Sequence, residues 1–294
     1  ALTANGGSST SFGSGLTVAT DIGKLALNAT SITSAGALTL TGATGIDFGS
    51  GVTFTAGGDL TMSTTTGDII GTGAFTLTST GNISLAENFT TAGATVITAD
   101  SDGNGAGNFS NSSSTTLSTG NSALTLTAND ITLSGSISSG TGSTTIAVSD
   151  GGTIGLGSTA GGMTISGTEL GNITAGTLNI GDSSTGNITV DGISAANSNN
   201  ATTVNLTTGS ASSVSFSNND STFNALTASG GSSTSFGSGL TVTTDTGKLA
   251  LNSVSLTSAG ALTLAGATGI DFGSGVTFTA GGDLTMSTTS GDII

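Results

Sequence analysis

Gly36-Ala37-Leu38-Thr39-Leu40, Gly58-Asp59-Leu60-Thr61-Met62 and Gly81-Asn82-Ile83-Ser84-Leu85 are three versions of one phrase. Each sets a turn residue before an alternation of apolar and hydroxyl side chains. Side chains alternate along a strand, so Leu38 and Leu40 share one face while Thr39 takes the other. The phrase opens at positions 36, 58 and 81, and recurrence at so nearly constant an interval says that each strand is laid on the one before it.

Working outward, Leu16, Leu38, Leu60 and Ile83 make a first face, with Val18, Leu40, Met62 and Leu85 beside them. Leu25/Leu27, Ile46/Phe48 and Ile69 make a second, and Gly23, Gly45 and Gly67 open its strands at intervals of 22. Ile32, Phe54 and Leu77 make a third, with Thr30, Val52 and Phe75 beside them. Three short strands per coil, at a coil period of about 22, give an all-β, three-sided parallel β-solenoid, open at both ends. A coil this short cannot bury its own apolar stripe. Stacking at ~4.8 Å per rung satisfies the backbone and packs like side chains into ladders. Glycine supplies the corners, and the complete lack of proline leaves every rung donor in place.

A larger repeat encloses the small one. Residues 1–70 return as 225–294 with 62 of 70 positions identical, the differences falling at 5, 19, 22, 29, 30, 32, 41 and 66. The expected organisation is one full solenoid unit over 1–224, roughly ten coils or ~50 Å of rod, and the start of the next over 225–294. No separate globular domain is expected. The changes Thr30 to Val254 and Ile32 to Leu256 read as interior positions, and those at Asn5, Ala19, Ala29 and Thr66 as turn or outward ones. The chain starts on Ala1 and stops at Ile294 in mid-pattern, which reads as a window cut from a longer, capped array.

Composition narrows the function classes. The 294 residues include 50 Gly and no Cys, Pro, His, Trp or Tyr, with only 6% charged side chains. Abundant, alternating β-branched residues argue for order rather than low-complexity disorder. A net charge of −15, from 17 acids against Lys24 and Lys248, leaves no basic footprint for nucleic acid. No apolar run reaches the roughly 18 residues of a membrane span. Without cysteine there are no disulfides and no thiolate metal sites.

Beyond residue 100 the spacing loosens. Leu124/Leu126, Ile131/Leu133, Ile146/Val148, Ile154/Leu156, Met163/Ile165, Leu178/Ile180, Ile188/Val190, Val204/Leu206 and Val214/Phe216 read as strand pairs. Polar stretches at 100–114 and 195–201 interrupt them, and no helix of useful length is expected.

The G-[ADN]-[LFI]-[TS]-[LM] strands, with Ala56-Gly57-Gly58-Asp59-Leu60-Thr61-Met62 as the fullest instance, resemble the repeats of filamentous-haemagglutinin-like exoproteins. Those are secreted bacterial adhesins, and similar repeats occur in other giant surface proteins. The resemblance implies a right-handed parallel β-helix at the cell surface or beyond it.

Few constellations could carry chemistry. Asp100-Ser101-Asp102-Gly103-Asn104-Gly105 matches the D-x-D-x-N-G opening of a calcium loop, and Asn108 could add a ligand. Asp100, Asp102, Asn104 and Asn108 are therefore the candidate metal ligands. Position twelve is Asn111 rather than glutamate, and a solvated excursion between coils is the competing reading. No cofactor is required, and calcium is the one candidate. Thr-x-Thr pairs at 39/41, 53/55, 76/78 and 125/127 are separated by intervals of 14, 23 and 49, which do not form one rank. They read as outward positions filled for β-propensity rather than as an ice-binding array. Asn28, Asn82 and Asn88 sit in glycosylation sequons that chance supplies in a chain this rich in Ser and Thr. Serine has no histidine to activate it, and Glu87 and Glu169 are the sole glutamates. No catalytic residue is assigned.

The functional expectation is a non-enzymatic structural segment of a long extracellular fibre or adhesin stalk, giving length, stiffness and protease resistance. Its partners would be further copies of the same repeat, in the same chain or end to end, with lateral fibre contacts. Nucleic acid and membrane insertion are not expected. The alternatives are a self-assembling filament subunit and a solenoid that binds calcium, glycan or ice along one face.

Overall fold

The computed structural model describes residues 1–294. Parallel strands stack as a β-solenoid of about 13 turns with about 22 residues per turn. The chain forms two compact units, Ala1–Thr144 and Thr145–Ile294. The join of the two large repeats falls inside the second unit, between strands Ser221–Phe223 and Leu226–Ser229.

In the first unit the three faces are three parallel sheets. On the first face Leu16, Leu38, Leu60, Ile83, Phe109 and Ile131 lie side by side on successive rungs. The second face aligns Leu25, Ile46, Ile69, Phe89 and Leu117. The third aligns Ile32, Phe54, Leu77, Ile97 and Leu126. From Leu25 onward the inward side chains of these ladders are buried, and the phenylalanines cluster where coils meet. Phe75 packs against Phe48 and Phe89 with ring centroids 5.0 and 5.1 Å apart, the latter pair edge to face. Gly23, Gly45 and Gly67 all have positive φ, at 87°, 138° and 109°, as their role in opening the second face demands.

Two expectations about this unit need correcting. Thr30 is exposed and Val254 is 62% exposed, while Ala29 is fully buried and Ser253 is 1% exposed. The interior position of this corner is therefore 29/253, not 30/254. Thr30 and Ser31 both turn away from the core as the chain rounds from the second face to the third, so alternation counted back from Ile32 fails. The polar stretch 100–114 likewise contains a strand, Phe109–Asn111, whose phenylalanine is fully buried on the first face.

The later strand pairs expected from sequence all form, each with its two apolar residues buried, Leu124/Leu126 and Ile131/Leu133 in the first unit and the other seven in the second unit. The course of the second unit is less regular than a simple coil. Met163–Ile165 and Ile188–Asp191 pair with opposite sides of Ile154–Gly157, so the chain doubles back along the stack before advancing. Single helical turns replace two strands, at Gly167–Gly171 and at Ala195–Ser198, the latter within the stretch read as merely polar. Ser166 and Glu169 form a reciprocal capping box on the first of them. The second is tied to the neighbouring rung, Ser198 Oγ donating to the Thr222 carbonyl at 3.0 Å. From Ala201–Thr207 onward regular coils resume, with Phe216 and Phe236 stacked at 5.2 Å.

Candidate functional site

The calcium candidates occupy the corner between the third and first faces. The chain from Ile97 to Phe109 that rounds this corner is twice as long as the Leu77-to-Ile83 passage in the coil before. The loop closes on Asp100, which sits at φ 55° and is 1% exposed. Its Oδ1 accepts the Asn104 N–H at 3.1 Å and the Ala106 N–H at 3.5 Å, and its Oδ2 accepts the Gly105 N–H at 3.1 Å. Asp102 is exposed, and Asn104 Nδ2 donates to its Oδ2 at 2.9 Å. Asn108 belongs to the adjoining rung. Its N–H donates to Asn82 Oδ1, and its own Oδ1 accepts from Asn129 Nδ2 and the Asp130 N–H.

The two carboxylates thus part company. Asp100 turns inward as the staple of its own loop, Asp102 faces solvent, and Asn108 is a step in an amide ladder. That ladder runs down one edge of the first face. Asp59 Oδ1 accepts the backbone and side-chain N–H groups of Asn82, Asn82 takes Asn108, and Asn108 takes Asp130. Each amide closes a corner to the next coil, which no single-coil reading of the sequence could reveal. No three acidic side chains converge anywhere in the chain.

The two lysines are used in the same way. Lys24 Nζ reaches both oxygens of Asp47 at 3.0 and 2.9 Å, and Lys248 Nζ reaches Asp271 Oδ2 at 2.7 Å. In each case the partner is on the next rung of the second face. These exposed pairs fix rung to rung weakly. At Asp182, burial would raise the carboxyl pKa, but hydrogen bonds from Ser184 and Thr185, side chain and backbone, prevail and hold it low.

The outer surface of the third face departs from expectation. Thr53/Thr55 and Thr76/Thr78 are side by side, then come Val96/Thr98, then Thr125/Thr127. Three of the four Thr-x-Thr pairs therefore do share one rank. The interval of 49 conceals this because it spans two unequal coils, a short one from Thr76 to Val96 and a long one from Val96 to Thr125 that carries the corner loop. Thr39/Thr41 belongs to the first face. Extended toward the start of the chain, the columns are Ser9, Ser31, Thr53, Thr76, Val96, Thr125 and Ser11, Thr33, Thr55, Thr78, Thr98, Thr127. None of the six strands carries a charged residue.

No protein-family model, curated protein or solved structure matches the chain. No helix is long and apolar enough to cross a membrane.

Proposed function

We propose that this chain is a structural segment of a long extracellular fibre or adhesin stalk, whose work is to provide length, stiffness and resistance to proteolysis. One observation carries the reading: the two copies of the large repeat build the same rungs. Leu25–Leu27, Ser31–Ser34, Leu38–Gly42 and Ile46–Phe48 recur as Leu249–Leu251, Ser255–Ser258, Leu262–Gly266 and Ile270–Phe272. A rung that fits its neighbours in two places can be multiplied without redesign, which is how solenoids gain length.

Burial within each copy supports the same reading. Leu240 lies on a rung between Ser221–Phe223 and Leu262–Gly266 and is 3% exposed, whereas its equivalent Leu16 pairs only with Leu38 and is 43% exposed. The apolar core of a rung is completed by its neighbours, so stability grows with the number of coils. Surface placement follows from the resemblance to haemagglutinin-like exoproteins, and two lysines with no arginine offer trypsin little to cut.

The test is cryo-electron microscopy of the native material. The expected image is a rod with ~4.8 Å rungs across it and a modulation of ~50 Å per large repeat. Compact particles without that axial repeat would overturn the structural role.

A further inference from the structure

The third face of the first unit carries two columns of six outward residues, eleven of them serine or threonine and the twelfth Val96. Parallel in-register stacking sets the spacing of this grid. Successive rungs lie ~4.8 Å apart, and residues two apart on one strand are separated by ~6.7 Å. Apart from a 3.0 Å bond between Ser11 Oγ and Thr33 Oγ1, these hydroxyls are not spent on protein partners. Threonine is stiff at χ1, so its hydroxyl and methyl keep their places without further loss of rotamer freedom.

The acids of the chain avoid this face. On the first face the outward column Thr39, Thr61, Ser84, Ser110, Thr132 is bordered by Asp59 and Asp130, and on the second Asp47 lies in the outward column itself. The third-face strands carry no charge at all in a protein with 17 acids and two lysines. A charge gathers water radially around itself, whereas an uncharged grid of fixed donors and acceptors favours water arranged with the grid's own period. The second unit repeats the device over fewer rungs, with an uncharged outward column Thr189, Ser215, Ser235, Thr257, Thr279.

We propose that the third face of the first unit is an ice-binding surface, its two hydroxyl columns anchoring a layer of ordered water that continues into the ice lattice. Each hydroxyl can donate once and accept twice, so a water layer satisfies all of them while the methyl groups fill the spaces between. The ordering cost is low because the protein side is already fixed. A second copy of the chain fits less well. Pressing two such faces together would strip water from rows of hydroxyls without assured partners, and the net charge of −15 opposes the approach. The surface lacks the large apolar groups that hold protein interfaces together, Val96 at 38% exposed being the sole aliphatic in the grid.

The experiment measures thermal hysteresis and ice-crystal shape with the purified chain in dilute buffer. The expected result is faceted crystals and a freezing point held below the melting point in proportion to concentration. The double variant Thr55→Lys, Thr78→Lys places two charges in the grid and should abolish both effects, while Thr39→Lys on the first face should retain them. Circular dichroism and melting temperature establish that each variant is folded. Val96→Thr, which completes the grid, should increase the hysteresis and provides a test should the lysine variants unfold. Unfaceted growth with the folded wild-type chain overturns the proposal. So does equal loss in Thr39→Lys, and so does a wild-type dimer, dispersed by the double variant, that leaves ice growth unaffected.

Discussion

Ser253 Oγ lies 2.6 Å from Thr234 Oγ1 in a buried hydrogen bond, and the same corner of the first copy has Ala29 in place of the serine. Thr10, the counterpart of Thr234, consequently holds its Oγ1 buried with no partner. One substitution between near-identical repeats thus accounts for an unsatisfied hydroxyl in one copy and a satisfied one in the other. Ala29→Ser should stabilise the first unit by about 1 kcal/mol, and Ser253→Ala should cost about 1–3 kcal/mol by orphaning Thr234. Urea unfolding of the two variants checks both signs.

The phenylalanine cluster is the next point of leverage. Phe75 touches the rings of both Phe48 and Phe89, linking the second and third faces across three coils. Phe75→Ala should cost about 3–5 kcal/mol through lost burial and the cavity left behind. A loss in urea midpoint confined to a fraction of that size would mean that the coils close up around the gap.

Corner geometry makes a third expectation. Gly67 has φ 109°, and a Cβ there would stand 2.5 Å from the Thr44 carbonyl oxygen of the coil before. Gly67→Ala therefore meets both backbone strain and a clash with main chain, and a loss on the order of 3 kcal/mol is expected. Thermal unfolding with Gly51→Ala as a companion separates the two contributions, because Gly51 has φ 68° and open space around its Cβ position.

Asp100 should matter to folding more than to any ion. Its carboxylate already accepts three backbone N–H groups, so Asp100→Ala removes the acceptor that closes the loop and should destabilise the first unit by about 1 kcal/mol or somewhat more. A chelator should leave the melting temperature of the wild-type chain where it is. A calcium-dependent rise of several degrees that vanishes in Asp102→Ala would instead make the loop a cation site.

The Asp182 carboxyl gives a pH dependence of defined sign. Hydrogen bonds from Ser184 and Thr185 hold its pKa below the unfolded value of about 3.9. Its stabilisation is present above that value and disappears as the pH falls through the lower, folded one. Asp182→Asn should leave a shallower acid limb in a plot of melting temperature against pH below about 4, with little change near neutrality. An unchanged limb would mean that these hydrogen bonds persist in the unfolded chain.

Architecture is legible in the sequence because apolar residues repeat at both the period of a strand and the period of a coil. Leu16, Leu38 and Leu60 are spaced for stacking, and they stack. What stays hidden depends on where the chain bends. Ala29 and Thr30 exchange inside for outside because alternation breaks at a corner, and corners carry no periodic signal. Phe109–Asn111 is concealed because one apolar residue among polar ones looks like loop until the rung before it is known. Thr116–Ser118 and Ser136–Ser138, each with a single inward aliphatic, escape for the same reason. The threonine grid is the costliest omission, since a coil lengthened at its corner displaces sequence intervals without displacing the rungs.

That last property reaches beyond this chain. The corner between Ile97 and Phe109 takes twice the chain of its predecessor, yet Phe109 comes down on Ile83 in register. Length added at a corner is thus decoupled from alignment along the stack. A foreign peptide grafted at residues 101–103 should therefore be displayed at this corner, beside the amides that Asp100 holds, while the strands on either side of it keep their register.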